Sequence, residues 1–88
     1  MITLEQMFKR HANSLTKETL LTHIKNTVKY GRKHVENFDS INNRYVQKAV
    51  NGDYENLTKY QLCELKYYLY KAIDKARFGE DYPSVIAL

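Results

Sequence analysis

Apolar residues recur at steps of three and four along most of the chain, which is the spacing of one face of an α-helix. The pattern predicts four helices, over about residues 3–12, 17–37, 40–51 and 59–78. No segment shows a convincing period of two, so we expect no β-sheet. Because the connections are short, the fold class predicted is an all-α compact bundle forming a single domain, residues 1–88.

Three of these segments begin with the same short phrase: an apolar residue, Thr, two variable residues, Gln or Thr, and then Leu or Met. A Thr at the N-cap accepts a hydrogen bond from a backbone N–H of the first turn. A Gln at the third helical position can return a bond to the cap, which completes a capping box. The phrase therefore predicts N-caps at Thr3, Thr16 and Thr58 rather than an internal repeat. The second box is incomplete, because Thr19 stands where Gln is needed.

Glycines and short polar residues predict the other helix ends. The third segment is expected to begin after Asp39 or Ser40 and to end at Gly52, and the fourth is expected to end at Gly79. Gly31 lies on the apolar stripe of the second segment. It either allows another element to approach closely, or it ends one helix and starts the next. The remaining residues form a short C-terminal tail, whose apolar end at 85–88 we expect to dock on the core or on a partner.

The fourth segment has two unusual faces. On a helix, its apolar face consists of Leu62, Leu65, Leu69, Ala72, Ile73 and Ala76. Tyr60 and Tyr67 point almost directly away from that face, which fits a central helix packed on two sides. It also fits an exposed recognition face, because Tyr combines a large apolar area with a polar tip. On the second interpretation, a larger protein partner or a second copy of the chain is contacted by Tyr60, Tyr67, Tyr70 and Lys71.

The polar side of the third segment carries no acidic residue. It presents Asn43, Arg44, Gln47, Lys48 and Asn51. Side chains of these types read base edges or hold phosphates in a DNA groove. An ordinary solvated helix face explains the same pattern.

The stretch "INNRYVQKAVNG" followed by "LTKYQL" resembles the end of a helix-turn-helix repressor of the Cro and phage-repressor type. The resemblance covers about a third of the chain, and it rests on the spacing of Ile41, Val46, Ala49 and Gly52. Glu36 and Ser40 depart from the family pattern, which has a small residue and a glycine in those places. The resemblance implies that Arg44, Gln47 and Lys48 contact DNA.

A row of basic residues on the second segment is the third candidate surface. Its members lie within about 100° of helix arc and are Lys25, Lys29, Arg32 and Lys33. Such a stripe can follow a phosphate backbone. It is also typical of a solvated face, with Glu36 pairing with Arg32 and Lys33 at helical spacing.

Charge and composition narrow the class of protein. The net charge of +4 permits acidic partners and argues against an acidic mimic of DNA. Frequent Lys, Asn and Tyr indicate an AT-rich gene, as in many phages and mobile elements. One cysteine, Cys63, excludes an intramolecular disulfide and fits a reducing compartment. Since there is also no long apolar run and no signal-peptide core, we expect a cytoplasmic protein with no membrane contact.

Signals of catalysis are nearly absent. His23 and His34 are eleven residues apart, about 16 Å along a helix, which is too far to share a metal ion. The sequence shows no paired-cysteine motif and no glycine-rich phosphate loop, so no catalytic residue, metal or cofactor is predicted. We expect a non-enzymatic regulatory or inhibitory protein, phage-like, that docks its Tyr- and Lys-rich helical face onto a larger protein. The alternative is a nucleic-acid-binding regulator of the helix-turn-helix kind that uses the helix at 40–51.

Overall fold

The computed structural model describes residues 2–79. Their α-helices are α1 (Leu4–Ser14), α2 (Lys17–His34), α3 (Arg44–Val50) and α4 (Lys59–Phe78). A short 3-10 turn at Phe38–Ser40 lies between α2 and α3, and the described residues contain no strand. The prediction of an all-α bundle is confirmed. The predicted docking of the tail falls on residues 80–88, which lie outside the described part of the chain.

Hydrogen bonds at the helix starts confirm the capping predictions. The Thr3 hydroxyl accepts from the Gln6 N–H at 3.2 Å, and the Gln6 side chain accepts from the Thr3 N–H at 3.0 Å. Thr58 and its partner at 61 form the same box. Thr16 accepts from the backbone N–H of Thr19 at 3.1 Å, and the two hydroxyls are also bonded. Each cap contributes about 1 kcal/mol to the helix it begins.

The predicted start of the third helix is wrong. α3 begins at Arg44 rather than near residue 40, because Asn43 is the N-cap. The Asn43 side-chain oxygen accepts from the backbone N–H groups two and three residues ahead, at 2.9 and 3.2 Å. Asp39 lies instead within the 3-10 turn. The second helix also ends earlier than predicted, at His34, since the chain is extended at Val35.

Gly52 ends α3 as predicted. Its φ of 71° is the left-handed conformation that glycine adopts without strain. The Gly52 N–H bonds to Ala49 O at 3.2 Å and the Asp53 N–H to Lys48 O at 3.0 Å. This pair of bonds is the Schellman motif, which satisfies carbonyl groups left over at the end of the helix. Gly79 follows the last residue of α4 and confirms the other predicted stop.

Gly31 permits a close approach, the first of its two predicted roles. It is buried inside α2, which continues past it for three residues. A Cβ at this position would lie 2.5 Å from Cε1 of Phe38. The phenyl ring of the 3-10 turn therefore lies directly against the backbone of α2, and it is itself buried.

The core is built around α4, which packs against α1, α2 and α3. The fully buried side chains of the predicted leucine face are Leu62, Leu65, Leu69 and Ile73. From α2 and α3 they meet Leu20, Ile24, Val28 and Val46. Ala76, also predicted to lie on this face, is exposed near the end of the helix. The arrangement leaves the outer sides of α2 and α3 facing solvent.

Candidate functional site

The tyrosine face of α4 is largely covered by α1. The rings of Tyr60 and Tyr67 each lie 5.6 Å from the ring of Phe8, in edge-on geometry. Phe8 is buried and both tyrosines are half-buried. For these two residues the structure shows the first interpretation, a central helix packed on two sides. Aromatic contacts of this kind add about 0.5–1.5 kcal/mol each beyond the area they bury.

The outer edge of the tyrosine face remains accessible. Lys71 is exposed, and its ammonium lies 5.4 Å from the centre of the Tyr67 ring. Tyr70, one residue earlier on α4, is half-buried. This cation–π contact keeps a positive charge and an aromatic ring together at the surface. Of the four predicted protein contacts, the structure leaves Lys71 the most accessible.

The polar side of α3 is occupied by contacts within the chain. The Gln47 side-chain amide donates to the backbone oxygens of Asp39 at 2.9 Å and Ile41 at 3.0 Å. The Arg44 guanidinium donates to the Tyr45 hydroxyl at 2.9 Å. This bond is the main cause that raises the pKa of Arg44. Two of the three predicted base-contacting residues thus have partners of their own.

The third, Lys48, lies 3.9 Å from the Asp53 carboxylate. The connection between α2 and α3 spans residues 35–43, whereas a helix-turn-helix joins its helices through a turn of roughly three or four residues. The recognition helix would also be short, since α3 has seven residues. The geometry of α2 and α3 therefore differs from that of the family which the sequence resembles.

The basic row on α2 is exposed along its length. We call Lys25, Lys29, Arg32 and Lys33 the basic α2 surface. Arg32 bonds to the Asp39 carboxylate at 2.9 Å, and this bond raises the pKa of its guanidinium. The expected pairs with Glu36 do not form, because α2 ends two residues before it. Within residues 2–79, none of the three lysines makes an ion pair.

A shallow groove of about 260 Å³ runs beside this surface. One wall carries Lys25, Lys29 and Arg32, and the other is formed by the end of α3, Gly52 and Tyr54. The position of a Cβ at Gly52 is open, with no atom within 4 Å. The groove thus combines positive charge with an accessible stretch of backbone.

An aromatic and cationic cluster at the end of α2 was not predicted. The Tyr30 and His34 rings are 4.6 Å apart, and both side chains are exposed. The Arg77 guanidinium lies 5.5 Å from the Tyr30 ring centre, and it donates to the Tyr30 hydroxyl. We call these three residues the Tyr30 cluster. The spacing of Tyr30 and His34 on one helix was available from the sequence, but their contact with α4 was not.

A buried lysine was also missed. Lys66 is 8% exposed, and its ammonium nitrogen lies 3.1 Å from Nδ1 of His23. Burial is the main cause that lowers the pKa of Lys66. Burial also lowers the pKa of His23, followed by the charges of Lys66 and His11. The signal was present in the sequence, since Lys66 falls among the leucines on the helical wheel of α4.

Two kinds of feature are absent from the residues that the structure describes. Residues 2–79 contain no group of three or more His, Cys, Asp or Glu side chains placed to hold a metal ion. No helix in that range is long and apolar enough to cross a membrane. No protein-family model, curated protein or solved structure matches the chain. Any functional assignment therefore depends on the surfaces of α2, α3 and α4.

Proposed function

We propose that the protein is a small, non-enzymatic binding protein whose basic α2 surface holds the phosphate backbone of a nucleic acid. One observation carries this proposal: Lys25, Lys29 and Lys33 stand on one exposed helix face without an acidic partner among the described residues. They cover about 12 Å along the helix axis. Like charges at this spacing repel one another, and a polyanion relieves that repulsion while it releases counterions.

The groove beside the basic α2 surface supports the same partner. Its second wall leaves the Cβ position of Gly52 open, so a phosphate group has room to lie between that wall and the basic side chains. Base reading by α3 is a weaker form of the proposal, because Gln47 and Arg44 already bond within the chain. We therefore assign Arg44, Gln47 and Lys48 a minor part in nucleic-acid binding.

Fluorescence anisotropy with labelled, mixed-sequence DNA and RNA at low salt tests the proposal. Binding should weaken steeply with salt, by about 0.7–0.9 in log K per log unit of salt for each phosphate contact. The variant Lys29→Gln/Lys33→Gln should reduce the magnitude of that slope by about the amount expected for two phosphate contacts. A matched control, Lys9→Gln/Lys71→Gln, removes the same net charge from α1 and α4. The proposal fails if neither nucleic acid binds at low salt, or if both double variants lose affinity equally.

Docking onto a larger protein is the second candidate function. The observation in its favour is the contact between the exposed Lys71 and the ring of Tyr67. Such a surface suits an acidic protein partner. The chain would then act as a small regulator or inhibitor, of the kind that phages encode, by covering part of that partner. Tyr60 would contribute only the part of its ring that α1 leaves uncovered.

An affinity pull-down from lysate, run with and without nuclease, separates the two candidates. A protein captured equally well after nuclease treatment and lost in Tyr70→Ala/Lys71→Ala supports protein docking. Capture that disappears with nuclease supports nucleic-acid binding. Sedimentation of the purified protein tests a third explanation, that the surface is a homodimer interface. Such a dimer would form without a protein or nucleic-acid partner.

A further inference from the structure

We infer that the nucleic acid is single-stranded and that one of its bases stacks on the Tyr30 cluster while its phosphates lie on the basic α2 surface. This inference rests on the proposed function and names the class of nucleic acid. Tyr30 and Lys33 are one turn apart on α2, so the ring has as its neighbour an ammonium that makes no ion pair within residues 2–79. The chain thus offers a base-stacking position next to a phosphate-binding row.

The exposure of the aromatic rings is the first reason. Tyr30 is 36% exposed, whereas Tyr54, the tyrosine that lines the groove, is 6% exposed. The tilted pairing of Tyr30 with His34 gives two exposed rings on α2 whose centres are 4.6 Å apart. In proteins that hold single strands, exposed rings of this kind are platforms on which bases stack.

The cations around the rings are the second reason. Arg77 approaches Tyr30 from α4 and is held there by the tyrosine hydroxyl. Lys33 and Lys29 continue the positive charge along α2. Positive charge that surrounds an aromatic ring favours an anionic chain with π-faces of its own, and a single strand provides both. An apolar protein segment would leave these charges without partners.

The geometry of α3 disfavours a duplex. Reading a duplex requires free side chains that reach base edges in a groove, and the Gln47 amide donates to two backbone oxygens instead. The faces of paired bases are also hidden inside the duplex stack. The Tyr30 cluster would then have no base face to contact, whereas an unpaired strand exposes each of its bases.

Anisotropy titrations with labelled oligo(dT) and with a mixed-sequence duplex of equal length test the inference. We expect the single strand to bind at least about tenfold more tightly. Tyr30→Leu should weaken oligo(dT) binding by about 5- to 150-fold, the range typical for loss of one stacked base. Its salt slope should not change, because stacking releases no counterions. Tyr30→Phe, which keeps the ring and loses the bond to Arg77, should bind within about twofold of the original protein.

Leu4→Ala on α1 is the control. Leu4 is 39% exposed, close to the 36% of Tyr30, and it lies outside both proposed binding surfaces, so the change should leave oligo(dT) binding unchanged. Far-ultraviolet circular dichroism of each variant verifies that its helices are intact. Equal affinity for both nucleic acids, or a single-strand preference that Tyr30→Leu does not alter, overturns the inference while the proposed function stands. Absence of binding to either nucleic acid overturns the proposed function itself.

Discussion

Lys66 is the residue whose position is most costly within the core. Its side chain is buried, and among the described residues the hydrogen-bond partner of its ammonium is the imidazole of His23. A buried ammonium loses hydration that a neutral nitrogen acceptor restores only in part, and the lowered pKa of Lys66 reflects that loss. The fold therefore tolerates this residue rather than gaining stability from it.

Replacing Lys66 with methionine should stabilise the protein. Lys66→Met keeps the length of the side chain and removes the buried charge, so we expect the free energy of unfolding to rise by about 1–2 kcal/mol. Urea denaturation followed by circular dichroism measures it. Lys71→Met makes the same chemical change at an exposed position of the same helix and should alter stability by less than about 1 kcal/mol. A loss of stability in Lys66→Met would show that the contact with His23 outweighs the cost of burial.

At the scale of elements, the segment between α2 and α3 is fastened by three different contacts. The Phe38 ring lies on Gly31, and Arg32 pairs with Asp39. Gln47 donates from α3 to two backbone oxygens of the segment. Together these contacts fix where α3 begins and how one wall of the groove stands against the basic α2 surface.

Gly31→Ala tests the tightest of these contacts. Alanine is the better helix former by about 1 kcal/mol, but its methyl group would overlap the Phe38 ring. We expect a net loss of about 1–3 kcal/mol in the free energy of unfolding. A double-mutant cycle with Phe38→Leu provides the control, since the smaller side chain should remove part of the overlap. Additive losses in the cycle would mean that the ring and the glycine do not interact.

Local sequence signals predicted the starts of α1, α2 and α4. They failed for α3, where contacts between residues distant in sequence determine the first residue of the helix. Thr3 and Thr58 were predicted as caps because their boxes lie within four residues of sequence. Asn43 was missed since Asp39 is an equally good cap locally, and the docking of Phe38 on Gly31 placed Asp39 in the turn instead. Boundaries of short helices depend on such contacts more than on propensity.

For the candidate site too, features within one helix were predictable from the sequence, whereas contacts between helices were not. The basic row on α2 was visible as a helical stripe, and all four of its members are exposed. The direction in which Tyr60 and Tyr67 point was also correct. Their packing against Phe8 was not foreseeable, and neither was the approach of Arg77 to Tyr30, because both join separate helices.

At the scale of the whole molecule, stability should depend on pH through the contact between α2 and α4. The pKa of His23 is lowered in the folded protein, so the unfolded chain binds more protons as the pH falls below the ordinary value of 6.5. The folded state therefore loses stability as the pH falls through that region. The lowered pKa of Lys66 also makes stability increase with pH, but in the alkaline range. There the folded protein should become more stable as the pH rises toward 10.5, the ordinary pKa of lysine.

Urea denaturation between pH 7.5 and 5.5 measures the effect of His23. We expect the free energy of unfolding to decrease toward pH 5.5, and His23→Gln should flatten the decrease because the titrating group is gone. Lys66→Met should make it shallower, since the ammonium that repels a charged imidazole is removed. An unchanged pH dependence in His23→Gln would assign the decrease to other groups.

Cys63 gives the molecule a built-in reporter of its own motions. It is the one cysteine of the chain, it is 1% exposed on α4, and burial raises the pKa of its thiol. An alkylating reagent reacts with the thiolate, so labelling of the folded protein has to wait until α4 becomes exposed. The labelling rate under native conditions would thus give the frequency of core opening without any engineered probe. The same measurement made with a bound partner would show whether binding at α2 slows that opening.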